Sequence, residues 1–178
     1  MVSSRGSLPK GSESVRRDRI EEDIYVFVSE QYAQVTATVL LTADGAIIID
    51  TLPFPSETRE VVAFVESRLG PRSVRYIVLT HHHADHVYGA FLFEGAEVIS
   101  HDATRDILLR VGEPMLARAK QTTPALAEVE LRIPDITFER QMHLRLGDRH
   151  VRFFHTPGHS PDAISAYVLG DKLSLIHI

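Results

Sequence analysis

The sequence predicts a mixed α/β domain whose strands deliver a cluster of histidines to one edge of a sheet. Three observations predict it. Strand-like segments rich in β-branched and aromatic residues run from Ile24 to Asp50, and a single amphipathic helical stretch then leads into another strand. The apolar run Tyr76-Ile77-Val78-Leu79 opens directly into Thr80-His81-His82-His83-Ala84-Asp85-His86. A later set of strands ends in His155-Thr156-Pro157-Gly158-His159, where Pro and Gly force a tight loop and leave a histidine projecting from its end.

Residues 1–19 are rich in Ser, Gly and charge and lack the apolar core of roughly 7–15 residues that a secretory signal needs, so they read as a disordered leader. Strands follow at 24–28 and 35–41, and Ala43-Asp44-Gly45 turns the chain into a third at 46–50, an antiparallel meander. Pro53-Phe54-Pro55 breaks the sheet. Ser56 then offers a hydroxyl to the free amides of a helix that runs to about Leu69 and stops at Gly70-Pro71. Its expected buried stripe is Val61, Val62, Phe64, Val65 and Leu69, with Glu57, Glu60, Glu66 and Arg68 on a solvated face. The strand at 75–79 follows, and its C-terminal end carries the histidine cluster, where layered α/β folds tend to place ligand sites. Beyond it come an irregular turn at 89–93, a strand at 96–99, and a helix at 102–110 capped by Asp102. Pro114 to Lys120 suggests another helix, inside a stretch between Gly112 and Pro134 expected to bear on specificity. Strands at 136–138, 142–146, 150–154 and 163–169 complete the pattern, with a hairpin turn at Gly147-Asp148-Arg149.

His81, His83, Asp85 and His86 fit the pattern His-x-His-x-Asp-His. Residues two apart in an extended chain point to the same side, so His81 and His83 can present two imidazoles to one ion while Asp85 and His86 face a neighbouring point. Imidazole nitrogen and carboxylate oxygen suit zinc, with bonds of about 2.0–2.2 Å, and iron or manganese less exclusively. The spacing favours two ions. One histidine in such a turn would be ordinary core or solvated loop; it is the density of ligand types at the mouth of a buried strand that points to metal. His82 has the opposite parity and is read as structural, as are His101, His143 and His150.

This pattern resembles the signature of the metallo-β-lactamase superfamily, and the resemblance extends beyond it. Ile47-Ile48-Ile49 ending in Asp50-Thr51 looks like that family's earlier strand with its terminal aspartate, and His155 to Ser160 looks like its later Gly-His loop. The landmarks stand in the family's order, with flanking strands from about Ile24 to about Asp171. The resemblance implies a metallo-β-lactamase-like four-layer αβ/βα sandwich over residues 20–172. It implies that His159 joins His81 and His83 on a first ion, that Asp85 and His86 hold a second about 3.5–4 Å away, and that Asp50 hydrogen-bonds the metal loop from beneath. Asp85 would also be catalytic, orienting the attacking hydroxide, and His155 would stabilise its loop. The family continues with an apolar strand ending in Gly-Asp, whose aspartate bridges the ions, and with a later histidine. Here residues 173–178 read instead as a non-native tail, so the domain is expected to be incomplete at its C-terminus.

The implied activity is that of a zinc-dependent hydrolase, because zinc lowers the pKa of bound water from 15.7 to roughly 7 and so supplies hydroxide for an ester, thioester, amide or similar bond. One or two Zn2+ ions are the implied cofactor, with Fe or Mn as substitutes. Two other readings stand beside it. Persulfide dioxygenase-like relatives, which use non-haem iron, share the His-x-His-x-Asp-His set, and a non-catalytic truncated domain is the third. A chain of 178 residues that is 44% hydrophobic has room for one globular domain. Its net charge of −5, with no concentrated Lys/Arg face, argues against a dedicated nucleic-acid or anionic-membrane surface and leaves small or weakly charged substrates open, and the resemblance implies a small-molecule substrate. The absence of cysteine restricts any metal site to histidine and carboxylate. No apolar run approaches the roughly 18 residues that span a bilayer, so a soluble, cytoplasmic protein is expected.

Overall fold

The computed structural model describes residues 15–169 and 173–175. Four antiparallel strands open the fold: β1 (Val15–Glu21), β2 (Ile24–Ser29), β3 (Thr36–Thr42) and β4 (Gly45–Ile49). β1 lies partly inside the stretch expected to be a leader, so residues 15–19 are strand rather than disordered. Composition misled because a charged edge strand needs little apolar surface of its own. β1 buries Val15 and lays the Arg17 guanidinium over the Phe64 ring, 4.8 Å from its centroid. Residues 1–14 lie outside the described residues.

Helix α1 (Pro55–Leu69) connects β4 to β5 (Val74–Val78), and β6 (Glu97–His101) and β7 (Ile136–Phe138) add to the same sheet in parallel. The seven strands lie in chain order, β1 to β7. A second, antiparallel sheet has the order β11-β10-β9-β8, from β8 (Gln141–Leu146), β9 (Arg149–His155), β10 (Ile164–Leu169) and β11 (Leu173–Leu175). Residues 173–175, expected to belong to a foreign tail, thus pair with β10, while 176–178 lie outside the described residues.

Alternation along the central strands explains the layering. Ile47 and Ile49 of β4 join Ile24, Leu40, Val78 and Ile99 in a core closed by Val151, Phe153, Ile164 and Val168 of the second sheet. Ile48 faces the other way, onto Val61, Phe64 and Val65 of α1. Strands buried on both faces read as continuous apolar runs, which is why 46–49 shows no polar alternation. Helices, large sheet and small sheet are three layers of the expected sandwich. Among the described residues no helix is long and apolar enough to cross a membrane.

Two local expectations fail. Glu57, assigned to the solvated face of α1, is fully buried, because its carboxylate accepts Ser29 Oγ (2.7 Å) and the amides of Glu30 (2.9 Å) and Gln31 (3.2 Å). The α1 N-cap is Phe54, with no side-chain cap, and Pro55 removes one of the amides that Ser56 was expected to satisfy.

Candidate metal centre

The parallel strands β4, β5 and β6 are in register at Ile49, Val78 and Ile99, so the residues that follow them emerge at one edge. The chain after β5 leaves the sheet through Thr80 and the three histidines into a one-turn helix, α2 (Ala84–Val87), and a 3-10 turn (Tyr88–Leu92). The second sheet meets this loop through the Ile164 amide, which donates to the Thr80 carbonyl at 2.9 Å. That bond brings the segment ahead of β10, with His159, beside residues that lie 76 and more positions earlier.

The rings of His81, His83 and His159 converge. Centroids are 4.5 Å apart for His81–His83 and 4.9 Å for each of the pairs with His159. His83 Nδ1 and His159 Nε2 approach to 3.1 Å, and His81 Nε2 is buried with no hydrogen-bond partner among the described residues. A buried, unpaired imidazole nitrogen is costly unless an electron-pair acceptor meets it. Ligand atoms of these three residues lie within 4.8 Å of one another, as do those of Asp50, His81 and His86. Two nitrogens at about 2.05 Å from one tetrahedral ion sit about 3.3 Å apart. The donor set and its spacing therefore fit a divalent cation. His86 Nε2 lies 3.5 Å from Asp85 Oδ2, and the His86 ring is 4.2 Å from that of His81, so the second pair of motif residues stands against the first.

Asp50 organises this arrangement from below. It is fully buried at φ 57°, a left-handed conformation that aspartate tolerates better than most residues. Its Oδ1 accepts the Thr80 amide (2.7 Å), and its Oδ2 accepts the Thr80 hydroxyl (2.6 Å) and faces His86 Nδ1 (2.9 Å). Because the Thr80 proton is committed to Asp50, its oxygen accepts from His81 Nδ1 at 3.0 Å. Both imidazoles are then held with a proton on Nδ1 and a lone pair on Nε2. Thr51 completes the clamp by donating to the His86 carbonyl (2.8 Å) and accepting from the Gly89 amide (3.1 Å).

Burial above all, with the neighbouring His86, lowers the His81 pKa to about 4, which keeps its ring neutral. His83 is lowered too, by burial and then by His82 and His159. For His86 burial acts downward, but Asp50 and then Asp85 outweigh it, and the pKa rises.

One residue of the site carries no motif. Asp162 is fully buried and accepts the His82 amide (2.8 Å) and the Thr104 hydroxyl (2.8 Å) at Oδ2, with His82 Nδ1 2.9 Å from its Oδ1. Burial alone would raise its pKa, but Ser160, His82 and Thr104 hold it at about 2. The His82 and Thr104 groups that it joins are 80 and 58 residues away, so no local pattern could have shown that link. His155 Nε2 bonds the Pro161 carbonyl (2.8 Å) and its ring stacks on His101 at 3.9 Å. His101 caps α3 (Asp102–Ile107) by accepting the Ala103 amide at 3.0 Å, so the cap is His101 and not Asp102. Its other nitrogen is 2.7 Å from the Glu139 carbonyl, and both nitrogens are thereby occupied. His143 and His150 face each other at 2.8 Å on the second sheet, outside either ligand group.

An α/β sandwich with a histidine and carboxylate cluster at the C-terminal ends of its parallel strands defines a class of fold built to hold ions at that edge. The chain belongs to the metallo-beta-lactamase superfamily, whose family model matches residues 32–174. Among solved structures it is similar to a metallo-beta-lactamase from Pontibacter korlensis, at 20% identity and a TM-score of 0.65 over 86% of this chain and 66% of that one. A Cronobacter sakazakii metallo-beta-lactamase with a HARLDQ motif matches at 24% identity and a TM-score of 0.65, over 90% and 62% of the two chains. GOB-18 from Elizabethkingia meningoseptica matches at 22% and 0.65, over 94% and 61%. At these identities the likeness is one of fold. The chain spans between 61% and 66% of the length of these three structures.

Proposed function

We propose that the chain is a metal-dependent hydrolase, with zinc as its ion, acting on an ester, thioester, amide or similar bond of a small molecule. In this reading His81 Nε2, His83 Nδ1 and His159 Nε2 hold one ion, and Asp85 with His86 Nε2 holds a second. The observation that carries it is the meeting of three imidazole nitrogens from two distant stretches, one of them buried without a hydrogen-bond partner among the described residues. When bound, such ions supply Lewis acidity and bring the pKa of a water near neutrality.

The chain's own residues do the rest. Asp50, through Thr80 and directly, fixes which nitrogen of His81 and of His86 carries the proton. Asp85 keeps 24% of its side chain exposed beside His86, where it can accept a hydrogen bond from the attacking water and orient it. His159 is exposed, which leaves the site open to substrate on that side. The metallo-beta-lactamase names of the similar structures support hydrolysis of a small molecule.

Metal analysis of the protein purified without added zinc, and again after dialysis against it, tests the assignment. His81→Ala and His159→Ala should each abolish uptake, whereas His101→Ala should leave it unchanged because both nitrogens of that ring are already engaged. Equal loss in all three would refute the ligand set. Iron in place of zinc would move the assignment to the persulfide dioxygenase-like oxidoreductases.

A further inference from the structure

We propose that Asp162 is a positioning residue that sets the distance between His159 and the pair His81 and His83, and that Thr104 makes helix α3 part of the same unit; this rests on the metal-centre reading above. His159 needs such a device. Residues 156–159 are exposed, and the described bonds of that loop are local: Thr156 to Ala163 and Ser165, and the Gly158 amide to the Ser160 carbonyl at 3.3 Å. Among the described residues, His159 itself meets the rest of the site only through the rings of His81 and His83.

Asp162 supplies the fixed point, three positions after His159. Its carboxylate grips both the backbone amide and the ring of His82, the residue between the two other ligands. Holding His82 at its amide fixes the peptide plane that joins it to His81, and holding its ring as well fixes the residue from which His83 continues. The same Oδ2 takes the hydroxyl of Thr104, fully buried on α3, so a third segment closes the unit. His155, bonded to the Pro161 carbonyl, braces the loop from its other end. His82 is thereby explained: its Nδ1 is engaged by Asp162 while its ring lies against that of His83, with centroids 4.7 Å apart.

The hydrogen-bond chemistry separates geometry from charge. An asparagine at 162 can keep its oxygen at the Oδ2 position, accepting from the His82 amide and Thr104, and turn its NH2 toward His82 Nδ1, which accepts in the other tautomer. Alanine can make none of these bonds. The experiment is a cobalt(II) titration of the whole chain against a competing chelator, read by affinity and by the visible d–d spectrum, with thermal unfolding of the metal-free protein as the control for folding.

Asp162→Ala is expected to weaken cobalt binding by about 10–100-fold and to alter the spectrum. Asp162→Asn should stay within about threefold of wild type with the wild-type spectrum, and Thr104→Val should fall between them. Should the alanine variant fail to fold, Thr104→Val against Asp162→Asn carries the test. Folded Asp162→Ala with wild-type affinity and spectrum overturns the proposal, and so does Asp162→Asn as weak as alanine, which would make charge and not position the cause. A wild-type chain that takes up no cobalt overturns the metal centre itself, an outcome distinct from failure of the positioning role alone.

Discussion

Replacing Asp50 by asparagine tests whether the tautomers of two imidazoles are set from beneath the site. The carboxylate accepts from the Thr80 amide at 2.7 Å, the Thr80 hydroxyl at 2.6 Å and His86 Nδ1 at 2.9 Å. Asparagine can keep the first, but its NH2 then stands at the Oδ2 position and donates where the carboxylate accepted. Thr80 must reverse and donate to His81 Nδ1, and His86 must accept on Nδ1, so both rings carry their proton on Nε2 and lose the lone pair there. Bonds to a charged acceptor contribute about 1.5–3 kcal/mol and neutral ones about 0.5–1.5 kcal/mol. From the low ends of both ranges, the three converted bonds together cost about 3 kcal/mol, or roughly 6–12 °C in Tm for a domain of this size. Asp50→Ala leaves buried donors unmet and costs about 3–5 kcal/mol. Metal affinity should follow a different order: Asp50→Asn, more stable than the alanine variant, should bind about 10–100-fold more weakly than wild type and no better than alanine. Denaturant unfolding of the metal-free proteins gives the first quantity and chelator competition the second. Wild-type affinity in Asp50→Asn would refute the proton assignment.

Gly89→Ala should lower the denaturant midpoint by the equivalent of about 1–3 kcal/mol. A methyl there would sit 2.9 Å from both the Leu52 carbonyl and Thr51 Cβ, with Thr58 Oγ1 nearer still, and neither backbone nor a β-branched side chain can withdraw. Glu57→Ala should cost about 2–4 kcal/mol and speed hydrogen exchange at the Glu30 and Gln31 amides by more than tenfold; unchanged exchange would mean that the 29–35 loop is held by something else. Asp162 makes stability fall in acid. Its folded pKa, about 2, lies below the ordinary aspartate value near 3.9, so its contribution of roughly 2 kcal/mol is complete above that value and is lost as pH drops from about 4 toward 2. Asp162→Asn should remove that part of the pH dependence in urea melts.

What could be read locally was read from spacing and period. The strand cores, the meander turn at Gly45 and the four motif residues after Leu79 each follow from residue types within a few positions of one another, and the folded chain places them accordingly. Failures occurred where a partner is far away in sequence. Glu57 has the charge and helical position of a solvent-facing residue, and only Ser29 and its neighbours, 26 to 28 residues earlier, turn it inward. His101 and Asp102 are both plausible caps in isolation, and the stack of His101 on His155 accompanies the choice. β1 is a strand because β2 offers it an edge and because Phe64 lies under Arg17.

The amino-acid order by itself therefore determined which side chains could bind an ion and on which strand end they would stand, because extended-chain parity and apolar runs are properties of neighbours. His159 meeting His81 and His83 could be expected only through the family resemblance, and tertiary structure alone decided that Asp162 grips His82 and Thr104 and that Asp50, through Thr80 and directly, dictates where two protons sit. Those outcomes depend on strands from two sheets meeting through the bond from Ile164 to Thr80, and a hydrogen bond across 84 residues is specified by packing and not by any local pattern.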